Sequence, residues 1–126
     1  MTTKEILERL SMVADQIARN GVDPWNLPVK VLLKRHYKEE VSKTKEYNVL
    51  CLSNKAYNHI VITEADVPMT LKEFLMCMAA KSEEIYWYVH DVFGPLNPSS
   101  SNAHIMRMGY GVNGDKILIV AEVWVD

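Results

Sequence analysis

"VPMTLKEFLMCMAAKSEEIYWYVHDVFG", residues 67–94, decides how this 126-residue chain folds, because its two halves obey different rules. In the first half Thr70 stands three residues before Glu73. That is the spacing of a capping box, in which each side chain satisfies the other's unpaired helix-start amide. Met69 and Phe74 have the matching hydrophobic-staple spacing. The second half, "IYWYVHDV", is rich in the aromatic and β-branched residues that favour strands. Periodicity argues for one helix all the same, since Leu71, Phe74, Leu75, Met78, Ile85, Val89 and Val92 continue a single stripe through the charged "KSEE". The expectation is a helix over 70–93, closed by Gly94 and Pro95. The alternative is a helix to Lys81 followed by a strand over 85–92.

Upstream, residues 1–45 read as helical. Thr2 and Glu5 form another capping box, Ile6, Leu10, Val13 and Ile17 make one apolar stripe, and Gly21 can close the helix, which places it over 3–19. "VDPWNLP" is then a connector that leaves Pro28 in the first turn of a second helix. The inward stripe of that helix would be Val29, Leu32, Leu33, His36 and Tyr37, opposite a basic row of Lys30, Lys34 and Lys38 with Arg35 beside it. Between the two helical regions, "YNVLCL" and "AYNHIVIT" flank a turn-prone "SNK" and read as a hairpin over 47–63.

Downstream, residues 94–103 form a loop and 104–125 a second hairpin, joined by Asn113-Gly114, the dipeptide best suited to a two-residue type I′ turn. The last strand is apolar on both faces and should be central, or should lie in an interface between chains. The fold class expected is therefore α+β. A mostly antiparallel sheet of four strands, or five, is built from two hairpins and packed by three helices within a single domain, 1–126.

Composition narrows function mainly by exclusion. About half the residues are apolar, the net charge is −2, and no apolar run of bilayer-spanning length occurs. The charged N-terminus is unlike a signal peptide, so a cytoplasmic protein is expected. Cys51 and Cys77 sit in apolar surroundings without metal or redox spacing and read as buried free thiols. No metal or cofactor is implied, and no catalytic set stands out.

Three candidate sites remain. His90 and His104 border the 94–103 loop, where Ser99, Ser100, Ser101, Asn102 and Arg107 could hold an anionic small ligand or nucleotide, or support hydrolysis. A helix C-terminus would equally give His90 a structural role. The basic row Lys30, Lys34, Arg35 and Lys38 could follow nucleic-acid phosphates. Finally, aromatic and methionine residues exceed the needs of one small core, with Met106, Met108, Val123, Trp124 and Val125 of the last hairpin as interface candidates. The preferred expectation is a non-enzymatic binding or regulatory protein that acts through a protein interface and forms a homo-oligomer. An accessory or inhibitor protein of a phage or mobile element fits that description. Ligand or nucleotide handling is the first alternative, nucleic-acid binding the second.

Overall fold

The computed structural model describes residues 3–38, 41–53, 58–64, 66, 68–79, 85–91, 94–95, 104–111 and 114–125. The chain starts with α1 (Thr3–Arg19), then β1 (Val29–Tyr37), β2 (Lys43–Ser53) and β3 (Asn58–Thr63). It continues through α2 (Leu71–Ala79), β4 (Ile85–Asp91), the two-residue β5 (Gly94–Pro95), β6 (His104–Tyr110) and β7 (Ile117–Val125). The class is α+β, as expected. Among the described residues, however, there are two helices and one seven-stranded mixed sheet, ordered β5-β4-β3-β2-β1-β7-β6.

α1 forms where its stripe requires, burying Ile6, Leu10, Val13, Ala14 and Ile17. Its end is a Schellman closure: the Val22 amide reaches the Ile17 carbonyl at 3.4 Å, and the Gly21 amide reaches that of Ala18 at 3.0 Å. Gly21 there has φ +82°, the left-handed region that glycine enters without a Cβ penalty.

The second helix expected within 1–45 is instead β1. Its nine residues, VKVLLKRHY, satisfy both periods, and the strand period wins because β1 lies between two partners, antiparallel to β2 and parallel to β7. Val29, Val31 and Leu33 become fully buried, while Lys30, Leu32 and Lys34 turn to the other face. Pro28 opens no helix. Its carbonyl accepts the Ile117 amide at 2.9 Å, and it bridges to Thr70. The hairpin expected over 47–63 exists as β2 and β3, with β2 starting earlier, at Lys43.

The helix expected over 70–93 stops at Ala79, and residues 85–91 form β4, parallel to β3. The alternative reading therefore holds, and β3-α2-β4 is a parallel crossover unit. Strand pairing prevails because the register sets Trp87 beside Ile60 and Val89 beside Ile62, both buried positions of β3. His90 is consequently a strand residue, not a helix terminus. Of the expected 94–103 loop, Gly94 and Pro95 pair with β4 as β5, and 96–103 lie outside the described residues.

The start of α2 follows its sequence closely. Thr70 N donates to Glu73 Oε1 at 3.1 Å, and Glu73 N donates to Thr70 Oγ1 at 3.2 Å. Two further helix-start amides are satisfied from the α1–β1 connector: Leu71 N by the Leu27 carbonyl at 2.9 Å, and Lys72 N by that of Trp25 at 3.0 Å.

β6 and β7 form the expected antiparallel hairpin, with a bulge between Ile105 and Arg107. Its loop is longer than a two-residue turn. Gly111 N bonds the Lys116 carbonyl at 3.0 Å, across four intervening positions, and Gly114 N returns to the Gly111 carbonyl at 2.8 Å. Gly114 has φ +65°, and Asn113 lies outside the described residues. β7 is central, between β1 and β6, as its two apolar faces require. Hydrogen bonding on both sides leaves it no edge for pairing with another chain. Both helices and the alternate residues of β1, β2, β3 and β7 share one core, at whose centre Phe74, Met78, Leu33 and Ile119 are fully buried. Cys51 and Cys77 are free thiols, buried and half-buried respectively, and Cys77 Sγ donates to the Cys51 carbonyl at 3.0 Å.

Candidate functional site

Both helices lie on one face of the sheet, since they share a single core with one set of strand residues. Among the described residues no helix covers the other face. Strand alternation sends Leu32, Leu50, Val61, Leu118 and Val120 there, all half-buried, with Lys34 and Arg107 exposed around them. The uncovered face thus carries two aliphatic patches, Leu32 with Leu118 and Val120, and Leu50 with Val61, separated by Lys30, Glu46 and Asn48.

At one end of this face a polar cluster forms. The parallel β1–β7 register sets His36 beside Trp124 and Lys34 beside Glu122. His36 stacks on Trp124 with ring centroids 4.8 Å apart and planes 17° from parallel. Its Nε2 lies 2.8 Å from Glu122 Oε2, and its Nδ1 lies 3.0 Å from Ser42 Oγ. The partners assign the protons. An ionised carboxylate can only accept, so in the neutral ring Nε2 carries the hydrogen. Nδ1 is then the acceptor, and the Ser42 hydroxyl donates to it. The side chains of His36 and Glu122 are only 24% and 16% exposed, which limits screening of their interaction.

At the other end of the face, Arg107, Gly109, Leu118 and Val120 floor an open groove of about 460 Å³ that runs to Tyr110 and Lys116 at the hairpin loop. Gly109 contributes no side chain, which widens the groove. Lys116 Nζ donates to Glu46 Oε2 at 2.8 Å, and that bond holds its ammonium pKa above the ordinary lysine value.

The structure separates most of the residues nominated from sequence. His90 is on β4 and His104 on β6, with five strand spacings between them, about 24 Å at 4.8 Å per spacing. They do not form a pair. Ser99, Ser100, Ser101 and Asn102 lie outside the described residues. Arg107 does belong to the groove, and His104 lies opposite Glu122 in the β6–β7 register.

The basic row is split by the strand: Lys30 and Lys34 share the uncovered face, while Arg35 lies on the opposite face, where its Nη2 donates to Tyr47 Oη at 2.9 Å. Lys30 itself donates to Asn48 Oδ1. Lys38 follows the end of β1 and is exposed. Of the interface nominees, Val123 belongs to the core and Met108 packs against it, whereas Trp124 is 55% exposed. Met106 and Val125 occupy β6 and β7.

His36, Ser42 and Glu122 were missed as a group. The helical period of residues 29–37 puts His36 on an inward stripe, and nothing in sequence links it to a carboxylate 86 positions away. A strand reading of β1 would have put His36 on the same face as Lys34, which was the available signal.

Among the described residues no group of three His, Cys, Asp or Glu side chains is placed to hold a metal ion, and no helix is long and apolar enough to cross a membrane. No family model matches the chain, and no curated protein or solved structure matches it.

Proposed function

We propose that the chain is a protein-interaction module of the regulatory or accessory kind, which engages its partner through the uncovered face of its sheet. One observation carries this reading: half-buried aliphatic side chains, Leu32, Leu118 and Val120 in one patch and Leu50 and Val61 in another, lie on a face that no helix among the described residues covers. Apolar surface of that kind gains free energy when a second surface excludes water from it, at roughly 25 cal/mol per Å². Trp124 adds an exposed aromatic of the type enriched where proteins meet. Glu46 and Glu122 are engaged by Lys116 and His36, while Lys34 and Arg107 are exposed at the rim, so the complementary partner carries an apolar patch bordered by carboxylates. An accessory or inhibitor protein of a phage or mobile element fits such a module.

Val120→Glu tests the reading. Position 120 faces Arg107 in register, so the added carboxylate meets a cation and the fold is retained. The variant should keep its thermal transition yet lose a partner that the wild type captures from lysate. A fall in its own mass in solution would identify that partner as a second copy of the chain. Capture that is indifferent to Val120→Glu, with mass unchanged, overturns the reading.

A further inference from the structure

We propose that Ser42 is a nucleophile that accepts an acyl group from aryl esters, with His36 as its base and Glu122 positioning that base. The inference is independent of the protein-interaction reading. It rests on one arrangement drawn from three places in the chain: the connection before β2, the end of β1, and β7. Ser42 Oγ, the His36 ring and the Glu122 carboxylate form a continuous hydrogen-bonded line, with contacts of 3.0 and 2.8 Å. A serine hydroxyl is a weak nucleophile until an adjacent base takes its proton, and the base must be held in the correct tautomer and plane. Glu122 fixes the tautomer by accepting from Nε2. Trp124 fixes the plane by stacking on the ring.

Which ring nitrogen meets the serine is immaterial to proton transfer, because either can accept once the other carries the hydrogen. Substrate class follows from Trp124. One face of its indole is taken by His36 while the residue stays 55% exposed, which leaves a flat apolar surface beside the base for an aromatic leaving group.

The step balances without a cofactor. Ser42 Oγ attacks the ester carbonyl carbon as its proton passes to His36 Nδ1. The tetrahedral adduct collapses, the bond to the aryl oxygen breaks, and the departing phenol takes that proton. Water, deprotonated by the same nitrogen, then attacks the acyl carbon; the bond to Ser42 Oγ breaks, Oγ takes the proton back from Nδ1, and the carboxylic acid leaves.

The test uses p-nitrophenyl acetate on the full chain, with p-nitrophenol release followed by absorbance and the acylated position found by peptide mass spectrometry. The wild type should carry one acetyl group on the peptide containing Ser42, and Ser42→Ala should carry none there. His36→Gln should slow acylation about 100-fold, the scale of a lost general base. Glu122→Gln should slow it about tenfold or more with its thermal transition retained. Free imidazole should restore acylation of Ser42 in His36→Ala, an effect that a purely structural histidine would not show. Acetylation confined to lysines, or Ser42 modified equally fast in His36→Gln and wild type, overturns the proposal.

Discussion

Nε2 of His36 lies 2.8 Å from Oε2 of Glu122, and this contact ties β1 to β7 across 86 positions of sequence. Both groups are mostly shielded from water, so removing one partner strands the other. Glu122→Ala should lower stability by about 1–3 kcal/mol, the cost of leaving a shielded donor without its acceptor. Urea denaturation of the two proteins measures it.

The two faces of β7 should respond differently to the same truncation. Ile119 is fully buried against the helices, whereas Leu118 is half-buried on the uncovered face. Ile119→Ala should cost about 2–5 kcal/mol, because it removes buried methyl groups and leaves a cavity. Leu118→Ala should cost about 1 kcal/mol or less. Equal losses in chemical denaturation would mean that the second face is covered.

At the start of α2, Thr70→Ala should cost about 1 kcal/mol through the lost cap. The backbone amide of Thr70, then its hydroxyl, hold the Glu73 carboxyl below the ordinary glutamate pKa. A folded-state pKa that is depressed contributes stability at pH above the unfolded value, and the contribution disappears as pH falls through the folded value. Glu73→Gln keeps a capping side chain but cannot titrate. Its thermal transition should therefore fall less steeply than that of the wild type below about pH 4. Parallel acid titrations of the two proteins would reject the idea.

Gly21 should tolerate asparagine better than valine. A Cβ there meets nothing within 4 Å, so the penalty comes from the backbone at φ +82° and not from a clash. Gly21→Val should lose about 1–2 kcal/mol, with Gly21→Asn losing less because its short polar side chain supports the left-handed conformation. Thermal unfolding of both variants orders them.

Much of the local architecture was legible in sequence because its causes are local. The stripe from Ile6 to Ile17, the glycine after it, the Thr70–Glu73 box and the two-faced apolar β7 each involve residues within a few positions of one another. Their hydrogen bonds and burial then follow in the structure. The candidate site was much less legible. Trp124 and Arg107 were singled out, but the residues that meet around His36 were not, and the two histidines that flank the 94–103 loop lie about 24 Å apart across the sheet.

Residues 29–37 and 85–91 mark the boundary between the two kinds of information. VKVLLKRHY carries a helical stripe and a strand alternation at once, and IYWYVHD extends a helical stripe while having strand composition. Sequence by itself determined the class, the extent of α1, the start of α2 and the C-terminal hairpin, since the signals for each element lie within its own segment. Only the tertiary structure decided that β1 and β4 are strands. Their backbone amides and carbonyls find partners in β7, β2 and β3, and fully burying Val29, Val31 and Leu33 depends on helices packed over them from elsewhere in the chain. The same long-range pairing brings Ser42, His36 and Glu122 together. No local spacing encodes that meeting, because it exists only once the parallel β1–β7 register has formed.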